Sequence, residues 1–428
     1  MRTPILALPL LALAACTDRP LQTTADGTTG SSATDTSAAP TTTDPTATTD
    51  PTSTTGTTGI TGADDTTSVD TTSTATTTPD GPPSTCGPPC DASWEHFDNL
   101  NVADGVDYAC LTRVHGDLSV AGPLGPETLA SLANIRQVDG FVQIDTQPLT
   151  DLAPFACLEQ IGGIVLIDMP QLTDLSALGN LHSAGSFGLN GTGVAALPKL
   201  ADDFTGLYNL WLNDNPALTD LSAASTWGTA DDQVKITLTA NPGLTALTGL
   251  AGLVDGPAVK VITIKDMPAL TSLTGLEPLD LAALDLRNLP ALPKLDALGQ
   301  LKTSYRISLS DLPKVSDLSG LANLETAAEL MLGDCADMSA PGLAGLTSLA
   351  GLDSLTDLGA LGLANNVNLE SLDGAPKLTS IVQGFTAVNN PALTQKAYDA
   401  LLSQLAAPPL EDCLGDWNSC DCFQIMPW

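Results

Sequence analysis

Aromatic side chains are scarce in this sequence. Only 4% of 428 residues are Phe, Trp or Tyr, a low share for a globular enzyme of this size. Basic residues are equally thin: 15 Lys and Arg stand against 49 Asp and Glu, for a formal net charge of −34. Such a balance argues against binding nucleic acid and against docking directly on anionic lipid, and it permits cationic partners or divalent metal. There are three histidines, His96, His115 and His182, and none has metal-ligand or triad spacing. No phosphate-binding glycine loop, HExxH helix or nucleophile elbow is present. The expectation is a protein that is not an enzyme and needs no cofactor.

The N-terminus carries one charge, Arg2, and a short apolar run, Ile5 to Ala15, too short to span a bilayer as a mature helix. The run ends in Leu13-Ala14-Ala15-Cys16, which resembles the lipobox of bacterial lipoproteins. That resemblance implies a signal peptide over 1–15, lipidation of Cys16 and membrane attachment through the lipid. Thr17 in place of Asp after the cysteine implies, by the same analogy, outer-membrane delivery and surface display.

Residues 16–85 hold the lipidation candidate and then a Thr-rich linker. Thr fills 28 of the 69 positions from 17 to 85, and Leu21, Ile60 and Val69 are the only large apolar side chains there. Such a segment cannot bury enough surface to offset its conformational entropy, so disorder is expected. A flexible chain of this length has an end-to-end distance of about 45 Å. Nine acidic and two basic residues precede residue 86, so 40 acidic and 13 basic residues follow. The remaining part therefore keeps a net charge of about −27, most simply a solubility feature.

Cysteines gather at both ends of that remainder. Cys86, Cys90, Cys110 and Cys157 lie at one end, Cys413, Cys420 and Cys422 at the other, and Cys335 between. They read as disulfide staples for an N-terminal cap over 86–114 and a C-terminal tail over 406–428. Four cysteines allow three connectivities, and spacing does not choose among them.

Between the caps, residues 115–405 repeat. Leu207-Tyr-Asn-Leu210-Trp-Leu212-Asn-Asp-Asn215-Pro216-Ala-Leu218-Thr-Asp-Leu221 aligns with Val259-Lys-Val-Ile262-Thr-Ile264-Lys-Asp-Met267-Pro268-Ala-Leu270-Thr-Ser-Leu273. About eleven copies recur every 22 to 26 residues. Each opens with period-two alternation, a short strand. A polar turn follows, then period-three leucines such as Leu172, Leu175, Leu178 and Leu181, which suit an irregular or 3₁₀ return. No single copy can bury its own apolar face, so the copies must stack into a solenoid of parallel strands. Helices are expected over 123–135 and 393–405.

The Leu207-x-x-Leu210-x-Leu212-x-x-Asn215 pattern is similar to leucine-rich repeats. Earlier copies such as Gly162-Gly-Ile-Val-Leu-Ile167-Asp-Met-Pro-Gln-Leu-Thr-Asp-Leu175 look like the receptor L-domain variant. The resemblance implies an α/β-type, right-handed leucine-rich-repeat or L-domain-like β-helix that binds an extracellular protein or glycan on its strand face. Asn215, Asn241, Asn366 and Asn390 share a position with Met169, Met267, Leu289, Leu312 and Cys335, so a continuous asparagine ladder is not expected.

Two features could carry binding. On the strand face, outward positions include Ile167, Trp211, Asn213, Thr237, Thr263, Lys265, Asp285 and Arg287, a small, mixed stripe with Trp211 as candidate anchor. The alternative is that Trp211 packs flat on neighbours such as Ile167. An acidic column, Asp168, Asp214, Asp266, Asp311 and Asp334, is interrupted by Ala240 and Asn288, and a second runs through Asp151, Asp174, Asp220 and Asp317. These are weak calcium candidates, or turn residues bonding local amides. The leading expectation is a surface binding lipoprotein. A structural envelope spacer without a specific ligand is the alternative, and a calcium-stabilised adhesin is a more remote one.

Overall fold

The computed structural model describes residues 86, 87, 90–230, 233–255, 259–334 and 340–415, which belong to one compact unit. The expected signal peptide, Cys16, the Thr-rich linker, Cys335, Cys420 and Cys422 lie outside the described residues. The described part is a single all-parallel sheet of 16 strands with few helices, not closed into a barrel. Its strands are β1 (Trp94–His96), β2 (Leu100–Asn101), β3 (Leu111–Val114), β4 (Leu118–Ala121), β5 (Gln137–Asp145), β6 (Gln160–Ile167), β7 (Ser183–Asn190) and β8 (Asn209–Asn213). Then follow β9 (Gln233–Thr239), β10 (Val259–Lys265), β11 (Leu281–Arg287), β12 (Thr303–Ser310), β13 (Thr326–Leu332), β14 (Asp357–Ala364), β15 (Ser380–Val388) and β16 (Glu411–Gly415). From β5 to β16 each strand pairs with the next in sequence, so every repeat is one coil of a solenoid-like stack.

The register follows the alternation read from the repeat. Ile164, Phe187, Leu210, Ile236, Ile262, Leu284, Ile307 and Leu330 are cross-strand partners, and all are buried. The period-three leucines fill the other wall: Leu172, Leu178, Leu244, Leu247, Leu250 and Leu253 are fully buried. Several returns are short 3₁₀ turns, among them Ala153–Phe155, Ser176–Asn180, Ser222–Thr226 and Ser319–Leu321. Each has an Asp two residues ahead of its start. Asp151, Asp174, Asp220 and Asp317 accept from the N–H of Ala153, Ser176, Ser222 and Ser319 at 2.7–3.0 Å. An orphan donor at the turn's start is thereby satisfied.

The expected helix over 123–135 is shorter: α1 spans Pro126–Ser131 and passes into a 3₁₀ turn at Leu132–Asn134. A single turn, α2 (Ala251–Val254), lies in a return where no helix was expected. The last helix, α3 (Gln395–Gln404), matches its expected place, and the Thr394 hydroxyl accepts from the Ala397 N–H to cap it. Tyr398 on α3 stacks on Phe385 of β15 at 4.4 Å and donates its hydroxyl to the Phe385 carbonyl. Burial holds that phenol well above its ordinary pKa. The last coil's core edge is thus covered.

At the other end, disulfides join Cys86 to Cys157 and Cys90 to Cys110. Cys413 on β16 is disulfide-bonded as well. Cys86, Cys90, Cys110 and Cys157 staple the N-terminal end, as their clustering suggested.

The asparagine ladder exists as two separate pieces. The Asn215 side-chain oxygen accepts from Thr192 N–H, and Asn215 N–H donates to the Asn241 side chain, both at 3.1 Å. Farther along, Leu343 N–H donates to Asn366 and Asn366 N–H to Asn390. The first piece ends where Asn241 N–H meets the Met267 sulfur at 3.4 Å. Apolar residues then take over the position.

Candidate functional site

Alternation along each strand sends every second side chain outward. Parallel register lines those side chains up in columns. One column runs Val165, Gly188, Trp211, Thr237, Thr263, Asp285 and Ser308. The adjacent one runs Ile167, Asn190, Asn213, Thr239, Lys265, Arg287 and Ser310. All eight candidate face residues therefore occupy two neighbouring columns of one face, spread from β6 to β11.

Across β6 to β9 these two columns carry no charge. From β10 onward, charges appear and meet one another. Lys265 pairs with Asp285 at 2.8 Å, Arg287 with the buried Asp334 at 2.5 Å, and Arg306 with Glu329 on the next strand. Each of these cations faces a carboxylate, so the face stays near neutrality in a strongly acidic chain.

Trp211 is half-buried. Its indole lies over Gly188 of the neighbouring strand: a methyl group on Gly188 would meet indole atoms at 2.2–2.6 Å. Two other aromatics do the same. Phe141 lies over Gly163, its partner on β6, and Tyr208 over Gly185. Sequence reasoning missed Phe141, Tyr208 and these glycines as a set. The signal was present, an aromatic and a glycine 22 or 23 residues apart, but it has meaning only once the register is known.

Several face side chains hold buried polar atoms without a hydrogen-bond partner: Ser186 Oγ, Asn213 Oδ1, Asp285 Oδ1, Arg287 Nε and Ser310 Oγ. Ser186 and Ser310 are 1% and 0% exposed. Buried polar groups are overwhelmingly paired, so a cluster of exceptions on one face needs a reason.

The acidic columns have a local reason. Asp168, Asp214, Asp266 and Asp311 all sit at φ of 50–56°, directly after the strand, where Thr146, Ala240, Asn288, Asn365 and Asn389 sit in other coils. That left-handed conformation favours Asn and Asp among side-chain-bearing residues. The column follows the turn, and Asn288 donates to Asp266 at 2.6 Å. Burial, with the Asp266 charge adding to it, pushes the Asp311 carboxyl up. The second column caps the 3₁₀ turns; Asp174 is held below the usual carboxylate range by its backbone bond to Ser176, and Asp317 by its bonds to the Ser319 hydroxyl and amide. Among the described residues no three His, Cys, Asp or Glu side chains are grouped to hold a metal.

Two of the histidines, His115 and His182, contact carboxylates. His115 lies between Glu95 at 2.7 Å and Asp139 at 3.1 Å and stacks on Phe97. Asp139, bonded twice by Arg113, is held below its ordinary pKa mainly by that contact. A shallow depression lined by Glu95, Thr112, Arg113, Arg136, Gln137, Glu159 and Gln160 adjoins this network. His182 pairs with Asp203 at 2.5 Å. Among the described residues no helix is long and apolar enough to cross a membrane.

No protein-family model matches the chain, and no curated protein is significantly similar to it in sequence.

Proposed function

We propose that this protein is an exported binding module, anchored by lipid on Cys16 and held away from the membrane by the Thr-rich linker. Its coils form a right-handed solenoid of the leucine-rich-repeat or L-domain kind. Its ligand, an extracellular protein or glycan, docks on the strand face. The observation that carries this reading is the unpaired set of polar atoms in the face columns, Asn213, Asp285, Arg287 and Ser310 among them. Leaving a buried donor or acceptor unpaired costs stability, and a spacer without a ligand has no use for that cost. The near-neutral face on a −34 chain supports the same reading, since it limits repulsion of an approaching partner.

Capture from native cell-surface extract, using the full chain and its Trp211→Ala variant, tests the binding claim. A partner retained by the first and lost by the folded second is the expected result. Equal capture by both would remove the strand face as the site. Metabolic labelling with a radioactive fatty acid tests the anchor: the label is expected on the parent chain and absent from Cys16→Ser.

A further inference from the structure

We infer that the face from β5 to β8 is a stacking subsite for a neutral oligosaccharide. The inference rests on the proposed reading of the strand face and narrows it to one ligand class.

Three observations combine. The first is the pose of the aromatics. From one side Phe141 leans over Gly163 of β6; from the other Trp211 leans over Gly188 and Tyr208 over Gly185, both glycines on β7. The two groups approach each other across the β6–β7 pair, and Phe141 and Tyr208 remain 36% and 47% exposed. Rings laid down on glycine form a low platform, where upright rings would form knobs for a protein's pocket. An electron-rich ring face attracts weakly positive C–H groups, which a pyranose presents on its flat side.

The second observation is polar. Ser186, 1% exposed, sits in the Phe141–Gly163 column on β7, and its hydroxyl has no partner. Asn213 Oδ1, two residues along from Trp211, is also unpaired. A hydroxyl and an amide oxygen beside a ring match the alternating C–H and O–H chemistry of a sugar.

The third observation is electrostatic. Asp145, the β5 partner of Ile167, is the one charge of these columns between β5 and β8 and stands at their edge; Val165, Ile167, Gly188, Asn190, Trp211 and Asn213 are all uncharged. An ionic ligand would find no counter-charge among them, and a nucleic acid, which also stacks on aromatics, is repelled by the net charge. From β5 to β8 is three strand spacings, about 14 Å, the length of a short oligosaccharide.

Isothermal titration and tryptophan emission of the full chain with cellohexaose, xylohexaose, mannohexaose and maltohexaose test the inference at low and high salt. At least one is expected to bind with salt-insensitive affinity and to shift the emission. Trp211→Ala and Asn213→Ala should each weaken binding about tenfold or more, a typical effect of losing an anchor contact. Gly188→Val, which displaces the indole without removing it, should do the same. Ser186→Ala should weaken binding while raising the midpoint of thermal unfolding, because the free protein loses an unpaired buried hydroxyl. That opposition separates a ligand role from a packing role. Binding of none of the four sugars would overturn the inference, and so would sugar binding unchanged in folded Trp211→Ala. Trp211-dependent capture of a polypeptide, with no sugar bound, would overturn it and leave the strand face standing as a binding site. Loss of both activities from the face would sink the wider reading too.

Discussion

Ala240 sits at φ 54°, where a Cβ is crowded against the following carbonyl at a cost of about 1–2 kcal/mol. Neighbouring coils fill the equivalent place with Asp or Asn, which tolerate it. Ala240→Gly or Ala240→Asn is therefore expected to stabilise the protein by about 1 kcal/mol, read as a rise in the urea midpoint with an unchanged slope. The same turn governs Asp311. Its folded pKa lies above its unfolded one, so the folded state binds more protons and loses stability as pH rises from the unfolded pKa through the folded one. Asp311→Asn should raise the thermal midpoint at pH 7 and change little below pH ~3, where the Asp311 carboxyl is protonated in the folded and the unfolded state alike. Asp174 has the opposite sign. Its folded pKa is depressed, so its contribution is present above the unfolded pKa and is lost as pH falls through the folded one. Asp174→Ala should lower the midpoint at pH 7, with an effect that fades in acid. In the sequence these aspartates were legible as columns. Their cause was not, because a positive φ leaves no mark on composition; Ala240 and Asn288 looked like interruptions and are the same turn filled otherwise.

At the scale of the coil, each strand is held to its neighbours by the core leucines and by short side-chain ladders. Asn215 is fully buried and bonds Thr192, Leu189, Asn213 and Asn241. Asn215→Ala leaves several of these groups unpaired and should cost about 3 kcal/mol, measured by chemical denaturation. Because one Asp column caps the 3₁₀ turns and the other fills a left-handed turn position, calcium or a chelator should leave the melting midpoint unchanged; a rise with calcium would contradict that assignment. Strand positions, inward leucines and 3₁₀ returns could be read from period two giving way to period three. The helices were read less well. The leucine periodicity of 123–135 suggested a longer helix, but the chain tightens at Leu132 into a 3₁₀ turn. A flat Trp211 was one of two readings, but the glycine beneath it was hidden: Gly188 is one coil away, and adjacency across strands depends on a register that turns and bulges set.

Over the whole stack, coils contact mainly their neighbours, so stability is a sum of coil and interface terms and the ends fray first. Cys86–Cys157 ties down the N-terminal coils across 71 residues. A closed loop of that length limits the unfolded chain by about 4 kcal/mol in the loop-entropy estimate. Replacing both cysteines by serine should raise amide exchange in β3 to β6 well before β9 to β12 respond; uniform loss of protection would contradict a modular stack. Clustered cysteines told the sequence reader that the N-terminal end is stapled, while the pairing awaited the folded geometry. The central claim, that the strand face is the working surface, is tested most directly by site-specific photo-crosslinking on the native cell surface. A photoreactive residue at Asn190, between Ile167 and Asn213 in the face column, is compared with one at Asp174 on the return side. The account predicts an adduct from Asn190 and none from Asp174; adducts from Asp174 alone, or equally from both, would contradict it.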